Sequence, residues 1–182
     1  TNSGTFNANS GTLNVDKITN NAGIFTNKVA STFGTIDNKN GATYNNDAAT
    51  TVTTLTNAGK INNNYSLNVT NSFNNTSNGE ISGRNGTLDI RNGGTNDGTI
   101  SQKDVKIAGD FANNNSLTAT TNFENTGTIT GNNGNLTVKD GSSTGSITQN
   151  NVSVNGTFTN SNSITAVTKL LNGGEFTNDA TG

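Results

Sequence analysis

Large apolar residues punctuate this otherwise polar chain at nearly constant intervals. From Leu55 they fall at Ile61, Leu67, Phe73, Ile81 and Leu88, then Ile100. A second pass runs Val105, Phe111, Leu117, Phe123, Ile129 and Leu136, then Ile147, and a third runs Val152, Phe158, Ile164, Leu170 and Phe176. The commonest step is six residues. Neither the 3.6-residue period of a helix nor the alternation of one long strand produces that interval. Short strands joined by tight corners do.

Three such strands per turn give a coil of roughly 18–20 residues per turn, allowing for longer corners. Successive turns then pair in parallel, strand over strand. The pattern predicts an all-β chain, a single parallel β-helix, with these apolar residues stacked in a narrow shared core. Leu67 and Val69, Leu88 and Ile90, Val105 and Ile107, Leu136 and Val138, and Val152 and Val154 read as inward pairs at the period of two that strands impose. Apolar sites from Ile100 to Ile129 reappear 47 residues on, and those from Leu55 to Phe73 reappear 50 residues on. The larger repeats are approximately 55–104, 105–151 and 152–182, within one continuous segment 1–182 of a longer protein. Residues 1–54 are less regular. There Phe6 and Leu13-Asn-Val15 fit, but Ile18, Ile24, Phe25, Val29, Phe33, Ile36 and the Ala-Thr stretch at 42–54 thread in more than one register.

One phrase accompanies the apolar sites: Asn-x-Gly-x-(Ile, Leu or Phe), as in Asn57-Ala-Gly59-Lys-Ile61, Asn96-Asp-Gly98-Thr-Ile100 and Asn125-Thr-Gly127-Thr-Ile129. The expected corner glycines are Gly59, Gly86, Gly98, Gly109, Gly127, Gly134, Gly145, Gly156 and Gly174. A corner turns the chain within one or two residues, often at φ above zero, where glycine carries no Cβ penalty and asparagine comes next. Asparagines stacked at equivalent corners could also hydrogen-bond along the axis as a ladder.

Composition sharpens this reading. Asn (38), Thr (33) and Gly (22) fill half of the 182 positions, and only 27% of residues are hydrophobic. That mixture resembles a disordered chain, but a disordered chain has no reason to space its large β-branched and aromatic residues evenly. With no proline, nothing interrupts long strand ladders. With no cysteine there is no disulfide or thiolate site. The net charge is −2 and the ten Lys and Arg are scattered, so no basic stripe awaits nucleic acid. No run of eighteen apolar residues spans a membrane. Thr1 opens mid-pattern without a leader, which reads as a piece or processed form of something longer.

The Asn-x-Gly-x-Ile/Leu phrase, on a degenerate period in an Asn, Thr, Ser and Gly-rich chain without cysteine, resembles the β-helical shafts of large bacterial surface adhesins. These are the filamentous-haemagglutinin-like exoproteins and autotransporter passenger regions. The six-residue step is also similar to left-handed hexapeptide helices, from which the irregular insertions and inward Phe residues set it apart. The adhesin resemblance implies a right-handed coil, export, and display at the bacterial cell surface or outside the cell.

Without His or Cys, the usual nucleophilic triads and zinc sites are impossible, and no catalytic residue, cofactor or metal is expected. Asp104 and Glu124, twenty residues apart, are the carboxylates that could stack on adjacent turns. Asn92-Gly-Gly-Thr-Asn-Asp97-Gly lacks the spacing of a calcium loop and reads as a long corner. Thr128-Ile-Thr130, Ser146-Ile-Thr148, Thr157-Phe-Thr159 and Ser163-Ile-Thr165 read as solvated strand residues spread over several strands rather than an ice-binding array. Sequons at Asn64, Asn68, Asn74, Asn85, Asn114, Asn135, Asn151 and Asn155 are frequent by chance in such a composition. Tyr44 and Tyr65 are candidate sugar-stacking residues if exposed. The expectation is a non-enzymatic shaft. Its partners would be neighbouring β-helix segments or copies of itself, with host or bacterial surface glycans or proteins as further candidates. A self-assembling filament is the alternative, and an ice- or glycan-binding face a lesser one.

Overall fold

The computed structural model describes residues 1–179, which form a 19-stranded, all-parallel sheet and contain no helix. The sheet winds into a β-solenoid of about 10 turns. Each turn has three faces. Inward positions on face 1 stack as Phe6, Phe25, Tyr44, Ile61, Ile81, Ile100, Leu117, Leu136, Val152 and Leu170. Face 2 stacks Leu67, Leu88, Val105, Phe123, Gly141, Phe158 and Phe176 above Leu13, Ser31 and Thr50. Face 3 stacks Ile18, Ile36, Leu55, Phe73, Gly94, Phe111, Ile129, Ile147 and Ile164. Some strands bend round a corner unbroken, as Glu80–Ile90 does between faces 1 and 2.

Side chains from Ile61 to Phe158 in these stacks are buried. Ile164 and Phe176 are only half-buried and Leu170 is 47% exposed. They point inward on the last described turn, so each has a neighbour below and none above. In the N-terminal part the register is fixed by which residue faces the core: Phe25 is buried and Ile24 is 46% exposed. Phe25 takes the inward place because its ring lies between Phe6 and Tyr44, with centroids 4.8 and 5.4 Å away.

The sequence repeat is a screw operation. Ile61 on face 1 corresponds to Phe111 on face 3 and Phe158 on face 2. Phe73, Phe123 and Leu170 move likewise through faces 3, 2 and 1. Each step climbs two turns and two further faces, so the three faces are interchangeable environments. Glycine fillers obey the same rule. Gly94 lies between Phe73 and Phe111, and Gly141 between Phe123 and Phe158. The phenylalanine rings close over the vacant place, at 5.9 and 6.3 Å.

At the corner between faces 3 and 1, a ladder of buried amides runs through the molecule. Nδ2 of each residue donates to the next side-chain carbonyl oxygen, from Asn2 to Asn20, Asn38, Asn57, Asn75, Asn96 and Asn113, at 2.7–2.9 Å. The second proton of Nδ2 closes the following corner, as Asn20 does on the Thr43 carbonyl at 2.8 Å and Asn38 on that of Lys60 at 3.0 Å. Six of these residues, Asn20 to Asn113, are 0% exposed, so burial of a polar group is offset by full pairing. The asparagine of the sequence phrase belongs to this ladder at Asn57 and Asn96, and its glycine fits the corner that the ladder closes.

The reason for that glycine differs from the one expected. Of the nine corner glycines, only Gly109 has a positive φ, 77°. At Gly59, Gly98, Gly127, Gly145 and Gly174 a Cβ would strike the carbonyl oxygen of the turn below, from Ala42, Gly79, Gly109, Gly127 and Gly156 respectively. Four of those carbonyls, those of Ala42, Gly79, Gly109 and Gly156, accept a ladder bond from the residue after the glycine above, as Gly109 O does from Thr128 N at 3.1 Å. Gly86 and Gly134 are pressed onto the Asn63 and Asn113 carbonyls, and Gly156 onto the Asp140 carboxylate. At the other eight, clearance rather than backbone handedness selects glycine. Gly127→Ala, Gly127→Asn and Gly127→Val should therefore all lose about 1–3 kcal/mol or more. Gly4→Ala, whose Cβ meets nothing within 4 Å, should stay within about 0.5 kcal/mol. Denaturant melts decide, and a tolerated alanine at 127 would contradict the close approach.

Candidate functional site: a polar groove beneath a surface ledge

The chain contains two glutamines, and both perform the same task. Asn63 is followed on the next turn by Gly83, and Gln102 reaches across that glycine from the turn above to accept from Asn63 Nδ2 at 2.7 Å. Asn113 is followed by Gly131, and Gln149 spans the gap at 2.6 Å. Gly83 and Gly86 both press their backbone onto the Asn63 carbonyl, as Gly131 and Gly134 do onto that of Asn113. With its two glycines drawn inward, each loop pushes its two intervening residues out. Arg84–Asn85 and Asn132–Asn133 thus form exposed ledges.

The first ledge overhangs a groove with a volume of about 780 Å³. Its floor is ordered. On face 1 Asn62 donates to Asn45 at 2.8 Å and Asn45 to Thr26 at 3.1 Å. At the adjoining corner Asn64 donates to the Asp47 carboxylate at 2.9 Å. Ser101 and Thr120 line the groove on the far side of the ledge. The second ledge repeats the corner, with Asn114 donating to Asp97 at 2.8 Å. It carries Asn132 in place of Arg84, and Thr95 and Ala112 in place of Asn45 and Asn62.

The core residues and corner glycines are thus scaffold, and the groove draws on residues from five successive turns. In the sequence Asn64 and Asn85 stand out only as sequons and Asp47 only as one of twelve scattered carboxylates. A signal did exist in Gly-x-x-Gly followed about one turn later by glutamine.

The other candidates separate clearly. Tyr44 is 0% exposed inside the core and Tyr65 is 55% exposed, so they form no pair. Burial pushes the Tyr44 hydroxyl well above the usual phenol range. Asp104 and Glu124 do not stack: Asp104 is level with Asn122, and Glu124 with Lys106. Lys106 Nζ meets Glu124 at 2.8 Å, and that hydrogen bond holds the Glu124 carboxyl below and the Lys106 ammonium above their usual values. The pair is about half exposed, is screened by salt, and weakens as acid protonates Glu124. Among the described residues, no group of three or more His, Cys, Asp or Glu is placed to hold a metal ion.

Three of the four Thr/Ser pairs lie together rather than on scattered strands. Those around Ile129, Ile147 and Ile164 occupy consecutive turns of face 3, and only Thr157–Thr159 stands apart on face 2. Asp110 and Ala112 on the turn below end this small hydroxyl patch.

Comparison of the chain with family models, with curated proteins and with solved structures found no match.

The reach of glutamine gives a direct check. Gln102→Asn keeps the amide but removes the methylene needed to cross Gly83, leaving a buried donor of Asn63 unpaired. It should cost about 1–3 kcal/mol, nearly as much as Gln102→Ala. Wild-type stability of Gln102→Asn in a denaturant melt would contradict the bridging role.

Proposed function

We propose that this chain is a structural shaft of a bacterial surface-exposed or secreted adhesin, projecting binding regions away from the cell and supporting attachment. The observation that carries this reading is the unbroken core: buried apolar residues from Ile18 to Phe158 form one cluster, against which Leu13, Ile164 and Phe176 also pack, so the chain resists bending along that length. At about 4.8 Å per turn, ten turns give a rod of roughly 48 Å. Nearest-neighbour coupling suits such a rod, because a local opening breaks contacts with two turns only. The predominance of uncharged Asn, Thr and Ser on the outside suits a surface that meets water on all sides.

A second reading, end-to-end stacking into a filament, is favoured by one observation. Phe6 and Leu170, which face inward on the outermost described turns, are 43% and 47% exposed. A further turn, from adjoining chain or from another copy, would cover them.

The test is an exchange within the intact protein. This segment is replaced by an equal number of turns from an unrelated parallel β-helix, and the reach of the molecule and cell attachment are measured. The shaft reading expects electron microscopy to show an unchanged length and attachment to be retained. Deletion should shorten the molecule by roughly 48 Å. Loss of attachment despite preserved length would overturn it, and fibres of constant width grown from the segment alone would establish the filament instead.

A further inference from the structure

The groove beneath the first ledge has features that the shaft does not require. Arg84 is exposed and forms no ion pair among the described residues. Among the described residues six cations pair with Asp or Glu and Lys17, Lys28, Arg84 and Lys169 do not; of these four, Arg84 is the one that lines the groove. A guanidinium offers five donors in a planar fork suited to a carboxylate. Opposite it, the Asp47 carboxylate is held by Asn64 and retains acceptor capacity for hydroxyl groups. Beside them on face 1 lie Asn45 and Asn62, whose amides are already oriented by their own ladder. A ligand binding there would not have to order them.

Charge placement restricts the ligand. Arg84 at one side attracts an anionic group, while Asp47 at the other repels a second one. A polyanion such as nucleic acid or a heavily sulfated chain meets that repulsion, and the scattered cations elsewhere supply no track for it. A molecule with one carboxylate and several hydroxyls meets a partner at each end. The lining is polar and hydrogen-bonding throughout, as a polyhydroxylated ligand needs, and the volume of about 780 Å³ is within the range of ordinary ligand sites.

We propose that this groove binds a carboxylate-bearing oligosaccharide, with the sugar carboxylate on Arg84 and its hydroxyls on Asp47, Asn45 and Asn62. The second ledge supplies an internal comparison. It has the same Asp–Asn corner and the same glycine-bounded loop, but neither the cation nor the amide floor, so the site is single. This inference does not depend on the shaft reading, since a spacer and a free-standing fibre carry the groove alike.

The experiment measures retention of the whole chain on a panel of uronate- and sialate-containing oligosaccharides, each beside its carboxyl-reduced, neutral counterpart. Heparin and duplex DNA are included. Binding to at least one acidic sugar is expected, at one site per chain, with its neutral counterpart weaker by at least about tenfold. Arg84→Gln should lose a similar factor and Arg84→Lys less, while the thermal melt of both variants stays at the wild-type value because Arg84 supports nothing in the fold. Asn132→Ala should change nothing. The proposal is overturned by no acid-dependent retention across the panel, by retention unaffected in Arg84→Gln, by two equivalent sites per chain, or by heparin or DNA binding as strongly as the sugars.

Discussion

Parallel, in-register pairing along one axis governs this molecule. Each turn lies about 4.8 Å above the last, so every inward side chain has the side chain one turn below as its floor and the one above as its ceiling. Apolar residues meet that constraint easily. A polar residue meets it only if its neighbours in the column can use its donors and acceptors. Asparagine can, because its amide carries both, and a column of asparagines pairs with itself indefinitely. Few other side chains do. That is why a chain with only 27% hydrophobic residues encloses a continuous core, and why Asn57, Asn75 and Asn96 are as fully buried as Leu55 or Ile81.

The same constraint shapes the exceptions. Where a column lacks a side chain, the turns on either side must fill the gap. Phe73 and Phe111 do so over Gly94 with aromatic rings, and Asn63 and Gln102 do so over Gly83 with a longer amide. In the second case the inward collapse of backbone pushes Arg84 and Asn85 outward. An economy of core packing therefore creates the surface relief in which chemistry is concentrated. Because the three faces exchange roles by a screw, the device recurs 47 to 50 residues later on another corner, and the two ledges point in different directions round the shaft.

Much of this was legible in the sequence. The six-residue step placed Phe111, Phe123, Ile129 and Leu136 facing inward, because a coil has one narrow interior and large apolar residues have nowhere else to go. What was not legible depends on register between turns. Ile24 and Phe25 are adjacent, and only the ring stack of Phe6, Phe25 and Tyr44 chooses between them. The Thr pairs around Ile129, Ile147 and Ile164 lie on one face because those turns are 18 and 17 residues long, whereas Asp104 and Glu124 miss each other by two residues for the same cause. Gly127 carried the right residue for a different reason, since a clash with Gly109 one turn away leaves no trace in local sequence. The groove was hidden most completely. Asn45, Asn62, Arg84 and Ser101 belong to four separate turns, and no short motif joins them.

The claim on which the account rests is that the asparagine amides form a buried, self-paired column, and side-chain amide exchange measures this directly. In a uniformly labelled sample, the Nδ2 protons of Asn20, Asn38, Asn57, Asn75, Asn96 and Asn113 should exchange with deuterated solvent only through global opening, on the timescale of the best-protected backbone amides. Those of exposed residues such as Asn85 and Asn132 should vanish at once. If the six inner amides exchanged as fast as the exposed ones, the column would be open to water and the packing described here would be wrong.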